Sequence, residues 1–374
     1  MEEKQKYQYW LRCIKGVGNK KQKKLVEYCG SANEVYGLTR RQLGKISEIY
    51  EKEINAILES KKSWDLEKEA SVLEQADVNM VTLEEEAFPK RLKNLADCPY
   101  ALFFRGRLPE EGKKTAAIVG ARACSSYGRA VALELGEKLA RQGADVISGM
   151  ASGVDSFGHW GAIHGGGRTY AVMGCGADVC YPRGGRELYH RIQEAGGILS
   201  EYLPKTEPAA MRFPARNRLI SALSDVVIVV EARRKSGSLI TADFALEQGK
   251  EIYAVPGRLD DALSAGCNDL IRQGAGILSS VEELLLELGF SGQNNRVSGK
   301  KDDQKIINSL EKAELMVYSC FGLYAKNMEE LLQMTKLPAW ELADLLVKLQ
   351  AKGLIEEFYK NHYRKIGSMH KGVF

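Results

Sequence analysis

The stretch Ala117-Ile-Val-Gly-Ala-Arg-Ala-Cys-Ser-Ser-Tyr-Gly128 decides the fold, because it joins an apolar strand to a helix through a loop of small residues. The apolar run ends at Gly120, and the pattern over Ala130–Leu139 predicts an amphipathic helix. A strand, a turn and a helix N-terminus gather unpaired backbone N–H groups, which favours phosphate binding. Arg122 adds donors suited to phosphate. The motif is neither G-x-G-x-x-G nor a Walker loop, so Gly120 could equally serve only the tight turn.

The composition is that of a globular protein, with 374 residues, 44% of them hydrophobic, and a formal net charge of +4. This length predicts two or three domains. We find no apolar run long enough to span a bilayer and no signal-peptide core, so we expect a cytoplasmic protein with no membrane partner. The eight cysteines form no C-x-x-C pair and no histidine stands at zinc-ligand spacing, so we expect buried thiols, no metal and no cofactor.

Residues 1–75 have helical patterns and an early excess of lysine. Within Leu11–Val26, a Gly16-Val17-Gly18 turn separates two helical patterns, an arrangement that resembles a helix-hairpin-helix in a SAM-like domain. The amides of such a turn hold a DNA phosphate without reading the base sequence. The second helix carries four lysines that would attract DNA, namely Lys20, Lys21, Lys23 and Lys24. The alternative is a small helical bundle with a solvated basic face.

Residues 76–288 alternate short apolar runs with helical patterns. The runs predict strands at Ala116–Val119, Ala144–Ser148, Tyr170–Met173, Ile198–Glu201, Val226–Val230, Ile252–Val255 and Ile277–Leu278. The patterns between them predict helices at Arg129–Arg141, Gly153–His164, Arg186–Ala195, Ala215–Leu223 and Thr241–Glu247. Continuous apolar strands alternating with helices predict an α/β, doubly wound, mostly parallel Rossmann-like sheet. Such sheets bind ligands at the carboxyl ends of their strands.

Small, hydroxyl and basic residues collect after these strands. They lie in the stretches Ser148–His159, Gly174–Asp178, Glu201–Tyr202, Glu231–Ser238 and Pro256–Gly257. Small residues at strand ends let backbone amides approach a ligand closely. We also expect a loop before the helix at Ala215, carrying Arg212-Phe-Pro-Ala-Arg-Asn-Arg218. An aromatic residue among arginines is typical of single-stranded nucleic-acid binding, with arginine on phosphates and the ring on a base.

Three residues of these stretches also have structural interpretations. Asp155 is in a position to cap a helix. His159 lies on a predicted helix beside Trp160, where a packing role is more common than catalysis. Glu231 ends a buried strand and could accept hydrogen bonds from loop N–H groups. With no nucleophile–base pair evident, the pattern favours a protein that is not an enzyme.

Taken together, these motifs closely resemble the DprA/Smf family of bacterial DNA-processing proteins. The matching segments are Val119–Arg122 with Ser125–Gly128, Ser148–Asp155 with His159, Phe213–Arg218, Glu231–Ala232 with Ser236–Thr241, Val255–Gly257 and Gly266–Ile271. The resemblance implies an extended Rossmann fold that binds single-stranded DNA at its strand ends and forms a homodimer. It also implies loading of the recombinase RecA during natural transformation, with Arg122 on phosphate and Phe213 on a base. Some relatives have lysine three residues before that phenylalanine, where this chain has Ala210.

Eighteen residues are predicted to contact DNA. They are Gly120, Arg122, Ser125, Ser126, Ser152, Gly153, Arg212, Phe213, Arg216, Asn217, Arg218, Gly237, Ser238, Thr241, Lys20, Lys21, Lys23 and Lys24. Asp155, His159 and Glu231 are predicted to support the same pocket.

Residues 289–303 have the composition of a flexible linker. Beyond it, residues 304–374 predict helices at Gln304–Lys312, Met328–Met334 and Ala339–Lys352, then a hairpin over 353–366. This order resembles the winged helix of many DprA/Smf relatives. The third helix carries Glu341 and Asp344, although a helix that reads DNA usually needs positive charge. We therefore favour a protein contact, or weak duplex DNA binding through Lys348, Lys360 and Arg364, over sequence-specific readout.

The main hypothesis is a non-catalytic protein that binds and protects single-stranded DNA and loads RecA. The alternative is a nucleotide-processing phosphoribohydrolase, which a Rossmann-like domain of this kind also resembles, with Glu231 as general acid or base and Arg122 on the nucleotide. A third possibility, a sequence-specific repressor, has less support because the third helix of the C-terminal segment carries little positive charge.

Overall fold

The structure, a computed structural model, describes residues 2–289, 310–321, 326–359 and 361–365. The chain forms two compact units, Met1–Phe290 and Ser291–Phe374. No helix in these described ranges is both long enough and apolar enough to cross a membrane. The predicted linker, 289–303, lies outside the described residues except for its first position.

The first unit begins with six helices that share a core with the sheet. They are α1 (Glu3–Cys13), α2 (Asn19–Cys29), α3 (Ala32–Gly37), α4 (Arg40–Leu43), α5 (Glu51–Ser63) and α6 (Leu66–Gln75). Trp10 is fully buried, and its indole N–H donates to Ser60 Oγ at 3.0 Å. Tyr9 packs edge-on against Phe103 of the sheet, with ring centroids 6.2 Å apart. The predicted domain boundary after residue 75 therefore falls inside one compact unit.

Nine strands form the central sheet. They are β1 (Asn79–Thr82), β2 (Ala101–Gly106), β3 (Thr115–Val119), β4 (Asp145–Ser148), β5 (Thr169–Val172), β6 (Gly197–Ser200), β7 (Val226–Val229), β8 (Glu251–Ala254) and β9 (Gly276–Ile277). The spatial order is β1-β2-β6-β5-β4-β3-β7-β8-β9. Strands β3 to β9 run parallel to one another, as predicted. The sequence patterns missed β1 and β2, which pair antiparallel with each other and extend the sheet beyond β6.

Helices cover both faces of this sheet. They are α7 (Lys90–Lys93), α8 (Ser126–Arg141), α9 (Val154–His164), α10 (Arg186–Ala195), α11 (Arg212–Leu223), α12 (Gly237–Glu247), α13 (Ala265–Arg272) and α14 (Val281–Glu287). Ala117 and Val119 of β3 pack on one side with α11, while Ala116 and Ile118 pack on the other with α8. Burial on both sides explains why β3 reads as an uninterrupted apolar run.

The parallel order places β3 beside β7, and the chain moves outward from this pair in both directions. A doubly wound sheet opens a crevice where its strand order reverses, at the carboxyl ends of the strands. Here the loops after β3 and β7 flank that crevice. The observed topology is therefore Rossmann-like and fixes where a ligand can enter.

In the described ranges 310–321, 326–359 and 361–365, the second unit contains three helices and a small sheet. The helices are α15 (Lys312–Cys320), α16 (Met328–Thr335) and α17 (Ala339–Ala351), and the strands are β10 (Lys326–Asn327), β11 (Ile355–Tyr359) and β12 (His362–Lys365). The strand order is β10-β12-β11, with both pairs antiparallel. Leu342, Leu346 and Leu349 of α17 pack in its core with Val317 and Phe321. Most of the first predicted helix, Gln304–Lys312, lies outside the described residues.

Candidate functional site

A cavity of about 710 Å³ opens at the carboxyl ends of β3, β4 and β7. Eight of the residues predicted to contact DNA line it, namely Gly120, Arg122, Phe213, Arg216, Asn217, Gly237, Ser238 and Thr241. Asp155 also lines it. Segments far apart in sequence therefore meet at the crevice that the strand order creates.

The loop that carries Arg122 is held by a buried carboxylate. Glu231, only 3% exposed at the end of β7, accepts hydrogen bonds from the backbone N–H of Ser125 at 2.8 Å and from its Oγ at 2.5 Å. Ser125 Oγ also caps α8 by accepting from Gly128 N at 3.0 Å. A Cβ on Gly128 would overlap the Glu231 carboxylate. Glu231 thus positions this loop and does not line the cavity, so the geometry gives no support to a general acid or base at Glu231.

Two glycines let the loops after β3 and β4 touch. Gly153 has φ +81°, and a Cβ there would overlap the carbonyl oxygens of Ala121 and Arg122. A Cβ on Gly120 would lie 2.7 Å from Val154 Cγ2. Larger side chains would separate the loops, so both glycines act by allowing close backbone contact. Gly153 itself is not a lining residue of the cavity, and its contact with DNA stays a prediction.

A buried arginine forms the floor of the cavity. Arg216 is 4% exposed, and its Nη1 donates to the carbonyl oxygen of Gly149 at 3.0 Å. Asp155 accepts from Gly149 N at 3.2 Å and from Ala151 N at 3.3 Å, so it holds the loop after β4. It lies in the first turn of α9, whose N-cap is Gly153 without a side-chain cap, so the predicted capping role of Asp155 is wrong. Burial lowers the pKa of Arg216 to about 10, and Asp155 opposes the shift. Burial also raises the pKa of Asp155, against the effect of Arg216. Arg216 therefore stays protonated at neutral pH, with the Asp155 carboxyl close to it.

Aromatic rings form one wall. Phe213 stacks on Tyr181 with ring centroids 5.2 Å apart and an interplanar angle of 28°. The guanidinium carbon of Arg122 lies 5.7 Å from the Phe213 ring centroid. Gly174 lies directly behind Phe213, since a Cβ there would be 2.7 Å from the ring. A flat apolar surface therefore lies beside the guanidinium of Arg122, a group suited to phosphate.

The opposite wall is the start of α12. Ser236 caps this helix, and its hydroxyl also lies 2.7 Å from Ser238 Oγ. Asn217 Nδ2 donates to the carbonyl oxygen of Gly237 at 3.2 Å, which joins α11 to this turn. Hydroxyl groups and a helix N-terminus thus face the cavity, an arrangement suited to anions. The predicted loop before Ala215 is wrong in one respect, because Arg212 and Phe213 already belong to the first turn of α11.

Two predicted arginines lie outside the cavity. Arg218 is buried and donates to Glu201 Oε2 at 2.8 Å and to Asp97 Oδ2 at 2.6 Å. Asn19 at the start of α2 donates to the same Glu201 oxygen at 3.3 Å, so Arg218 helps dock the N-terminal hairpin on the sheet. Arg212 donates to the carbonyl oxygen of Glu207 and lies over the Tyr202 ring. Arg218 is held by carboxylates inside the protein, whereas Arg212 is half-buried and bonded only to a nearby carbonyl. The predicted DNA contacts of both arginines stay predictions.

His159 is a core residue. Its Nδ1 donates to Thr169 Oγ1 at 2.6 Å, and that hydroxyl donates to the Val146 carbonyl at 3.0 Å. Complete burial lowers the pKa of His159 to about 3, and its Nε2 has no partner among the described residues. His159 is neutral at physiological pH and does not line the cavity. Ser126 and Ser152, which are exposed, also lie outside the lining.

Three of the four predicted lysines form ion pairs. Lys21 pairs with Glu53 at 2.5 Å, Lys24 with Glu48 at 2.7 Å and Lys23 with Glu27 at 3.8 Å. Glu48 and Glu53 are distant in sequence, so counting neighbouring charges overestimated the positive charge of this surface. Lys20 is exposed and forms no ion pair within the described ranges.

Three charged or aromatic residues of the lining were not among the predicted site residues, namely Tyr181, Arg233 and Lys235. Tyr181 follows a stretch without a recognisable motif, and only the fold brings it to Phe213. Arg233 and Lys235 also line the cavity, and their basic run directly after a strand was the available signal. In the described part of the chain, no group of three His, Cys, Asp or Glu residues is placed to hold a metal. The site thus offers cations, backbone amides, hydroxyls and stacked rings.

Comparison with known proteins identifies relatives. The family model for DNA recombination-mediator protein A matches residues 79–289, more than half of the chain. The DNA processing protein DprA of Streptococcus pneumoniae is 39% identical over 55% of this chain and 73% of its own length. The Bacillus subtilis DprA is 41% identical over 56% of this chain and 71% of its own.

Solved structures agree with this assignment. The S. pneumoniae DprA structure superposes with a TM-score of 0.68 at 33% identity, covering 75% of this chain and 97% of its own. A Helicobacter pylori DNA processing protein A, whose structure concerns its single-stranded DNA binding mode, gives a TM-score of 0.51 at 32% identity, over 57% of this chain and 97% of its own. These matches confirm the resemblance in the motifs: the chain belongs to the DNA recombination-mediator protein A family, the DprA/Smf family.

Proposed function

We propose that this protein binds single-stranded DNA without sequence specificity in the cavity at the carboxyl ends of β3, β4 and β7. The observation that carries the proposal is the stack of Phe213 on Tyr181 beside Arg122, above the buried Arg216. Arginines and backbone amides fix phosphates but carry no sequence information. Rings accept any base, provided that the base is not already stacked within a duplex. The H. pylori relative, described for its binding of single-stranded DNA, supports the same ligand.

The position of Glu231 gives less support to the alternative function, a phosphoribohydrolase. A general acid or base must reach the reacting atoms. Glu231 is buried, and both of its carboxylate oxygens accept hydrogen bonds from Ser125.

Replacing Phe213 with alanine tests the stacking surface. We expect a loss of about 1–3 kcal/mol in single-strand binding, which is the usual value of a base–aromatic stack. The matched control is Phe157→Ala. The guanidinium carbon of Arg129 lies 4.8 Å from the Phe157 ring centroid, but Phe157 does not line the cavity. The measurement is fluorescence anisotropy of a labelled oligothymidylate. A dissociation constant of Phe213→Ala equal to that of Phe157→Ala would show that Phe213 only packs.

Family membership supports wider proposals. We propose that the protein protects single strands and loads RecA onto them in natural transformation and recombination, in the cytoplasm. We also propose that it forms a homodimer. Leu246 and Ile277 are exposed apolar residues near the open edge of the sheet at β9, and this surface supports self-association. Light scattering that finds only single chains would contradict the dimer.

We propose accessory roles for the outer segments. The turn before α2 and the exposed Lys20 are candidates for a phosphate contact in a helix-hairpin-helix. In a winged helix formed by the second unit, α17 would be the reading helix. Its Lys348 pairs with Asp344 at 2.7 Å, and Trp340 is exposed, which favours a protein contact over base readout. Lys360, predicted to bind duplex DNA weakly, lies outside the described residues.

A further inference from the structure

A second groove, of about 350 Å³, lies next to the DNA cavity. Its lining includes Arg105, Arg183, Arg186 and His190, together with one acidic residue, Asp178. None of these residues was predicted to bind DNA. Counting histidine as neutral, three positive charges face one negative charge, so the groove is suited to an anion.

The arginines of this groove are not neutralised by carboxylates. Arg183 and Arg186 are exposed, and no ion pair in the described part of the chain involves either of them. Arg105 donates to the backbone carbonyls of Asp77 and Ala76, which leaves its charge uncompensated.

Both oxygens of the Asp178 carboxylate accept from the backbone N–H of Lys205, at 2.9 and 3.0 Å. That backbone donor holds the carboxylate in place, so it forms no ion pair with the arginines of the groove. Arg191, further along α10, shows the contrast, since it pairs with Glu194 at 3.4 Å.

The groove continues directly from the cavity. Tyr181 lines the cavity, whereas Cys180 and Arg183 line the groove. Two residues of chain span at most about 7 Å. The turn at Gly185 also lies against the end of β4, because a Cβ there would be 3.1 Å from Met150 Cε. The side of the groove formed by Cys180, Arg183 and Arg186 therefore lies next to the cavity, whereas Arg105 enters the groove from β2, where it pairs with Ile198 near the amino end of β6.

We propose that the groove is a second phosphate-binding site for the same DNA strand. A strand that stacks a base at Phe213 and Tyr181 passes over Tyr181 and places its next phosphates on Arg183 and Arg186. This inference rests on the proposed function of the cavity. It also specifies the path of the DNA strand over the protein, from the Arg122 loop towards the start of α10.

The test compares a short and a long ligand. The double variant Arg183→Gln/Arg186→Gln is measured against a thymidine tetranucleotide, which occupies the cavity alone, and against an oligothymidylate of about 20 nucleotides. Each phosphate contact on a single strand contributes about 0.7 to the slope of log K against log salt. For the long ligand we expect the slope to fall by about 1.4 in the double variant. The tetranucleotide should bind the variant and the parent equally.

Arg191→Gln is the matched control, because it removes a paired arginine from the same helix. It should leave both ligands unaffected. An unchanged salt slope for the long ligand in the double variant would overturn the groove assignment, and so would an equal loss for both ligands. Failure of the parent protein to bind either ligand would instead refute the proposed function of the cavity.

Discussion

Replacing Ser125 with alanine tests how the Arg122 loop is held. The Ser125 hydroxyl does two things, because it caps α8 through Gly128 N and donates to the buried Glu231 carboxylate at 2.5 Å. Ser280 caps α14 in the same way, accepting from Glu283 N at 3.1 Å, and no carboxylate accepts from its hydroxyl among the described contacts. Both serines belong to the first compact unit, so their variants report on the same unfolding transition.

The difference between the two variants isolates the bond to Glu231. Loss of a serine cap costs about 1 kcal/mol. A hydrogen bond to a charged group is worth about 1.5–3 kcal/mol, and removing it leaves Glu231 less satisfied in a buried position. We therefore expect Ser280→Ala to lower the free energy of unfolding by about 1 kcal/mol and Ser125→Ala to lower it by about 2.5–4 kcal/mol.

Urea unfolding measures the stability of both variants. If the slope of the free energy of unfolding against urea concentration is unchanged, the variants differ from the parent in stability alone. Oligothymidylate binding is measured in parallel, and only Ser125→Ala should weaken it, because only this loop presents Arg122 to the cavity. If Ser125→Ala costs no more than Ser280→Ala, the bond from the Ser125 hydroxyl to Glu231 does not stabilise the loop, since the variant keeps the backbone bond from Ser125 N–H.

Two further predictions concern charge. Burial raises the pKa of Asp145 to about 6, so the folded state binds its proton more tightly than the unfolded state, and stability falls as pH rises from about 4 to 6. Urea unfolding should therefore show that Asp145→Asn is more stable than the parent at pH 8, and that the difference in free energy of unfolding shrinks towards pH 4. A difference that does not depend on pH would contradict this reasoning. Arg122→Ala should weaken single-strand binding more than Arg212→Ala does, because only Arg122 lines the cavity. Equal losses in anisotropy titrations would show that the cavity is misassigned.

The sequence predicted the parallel sheet well because its strands are buried on both faces. The run Val226–Val230, for example, predicts β7 to within one residue. It missed β1 and β2 for a physical reason. Strand β1 begins and ends with a polar residue and pairs antiparallel at the sheet's edge. The second half of β2 is half-buried or exposed, so neither strand has the uninterrupted buried apolar run of β7.

Residues of the site were predictable where a motif directly follows a strand. They were not predictable where a residue distant in sequence determines the position of the side chain. Gly120, Arg122 and Thr241 line the cavity as their motifs indicated. Arg218 lies in a similar motif, yet Asp97, 121 positions away in sequence, holds its guanidinium. Tyr181 reaches the site only because the fold brings its segment to Phe213. Local pattern cannot supply such long-range pairings.

The most direct test of the central proposal is binding of one labelled oligonucleotide, as a single strand and as a duplex, across a salt series. Capture of phosphates by Arg122 and its neighbours, with stacking on Phe213 and Tyr181, predicts tighter binding of the single strand. It also predicts a single-strand affinity that falls steadily with salt. Duplex binding as tight as single-strand binding, or no binding of either, would contradict the proposal.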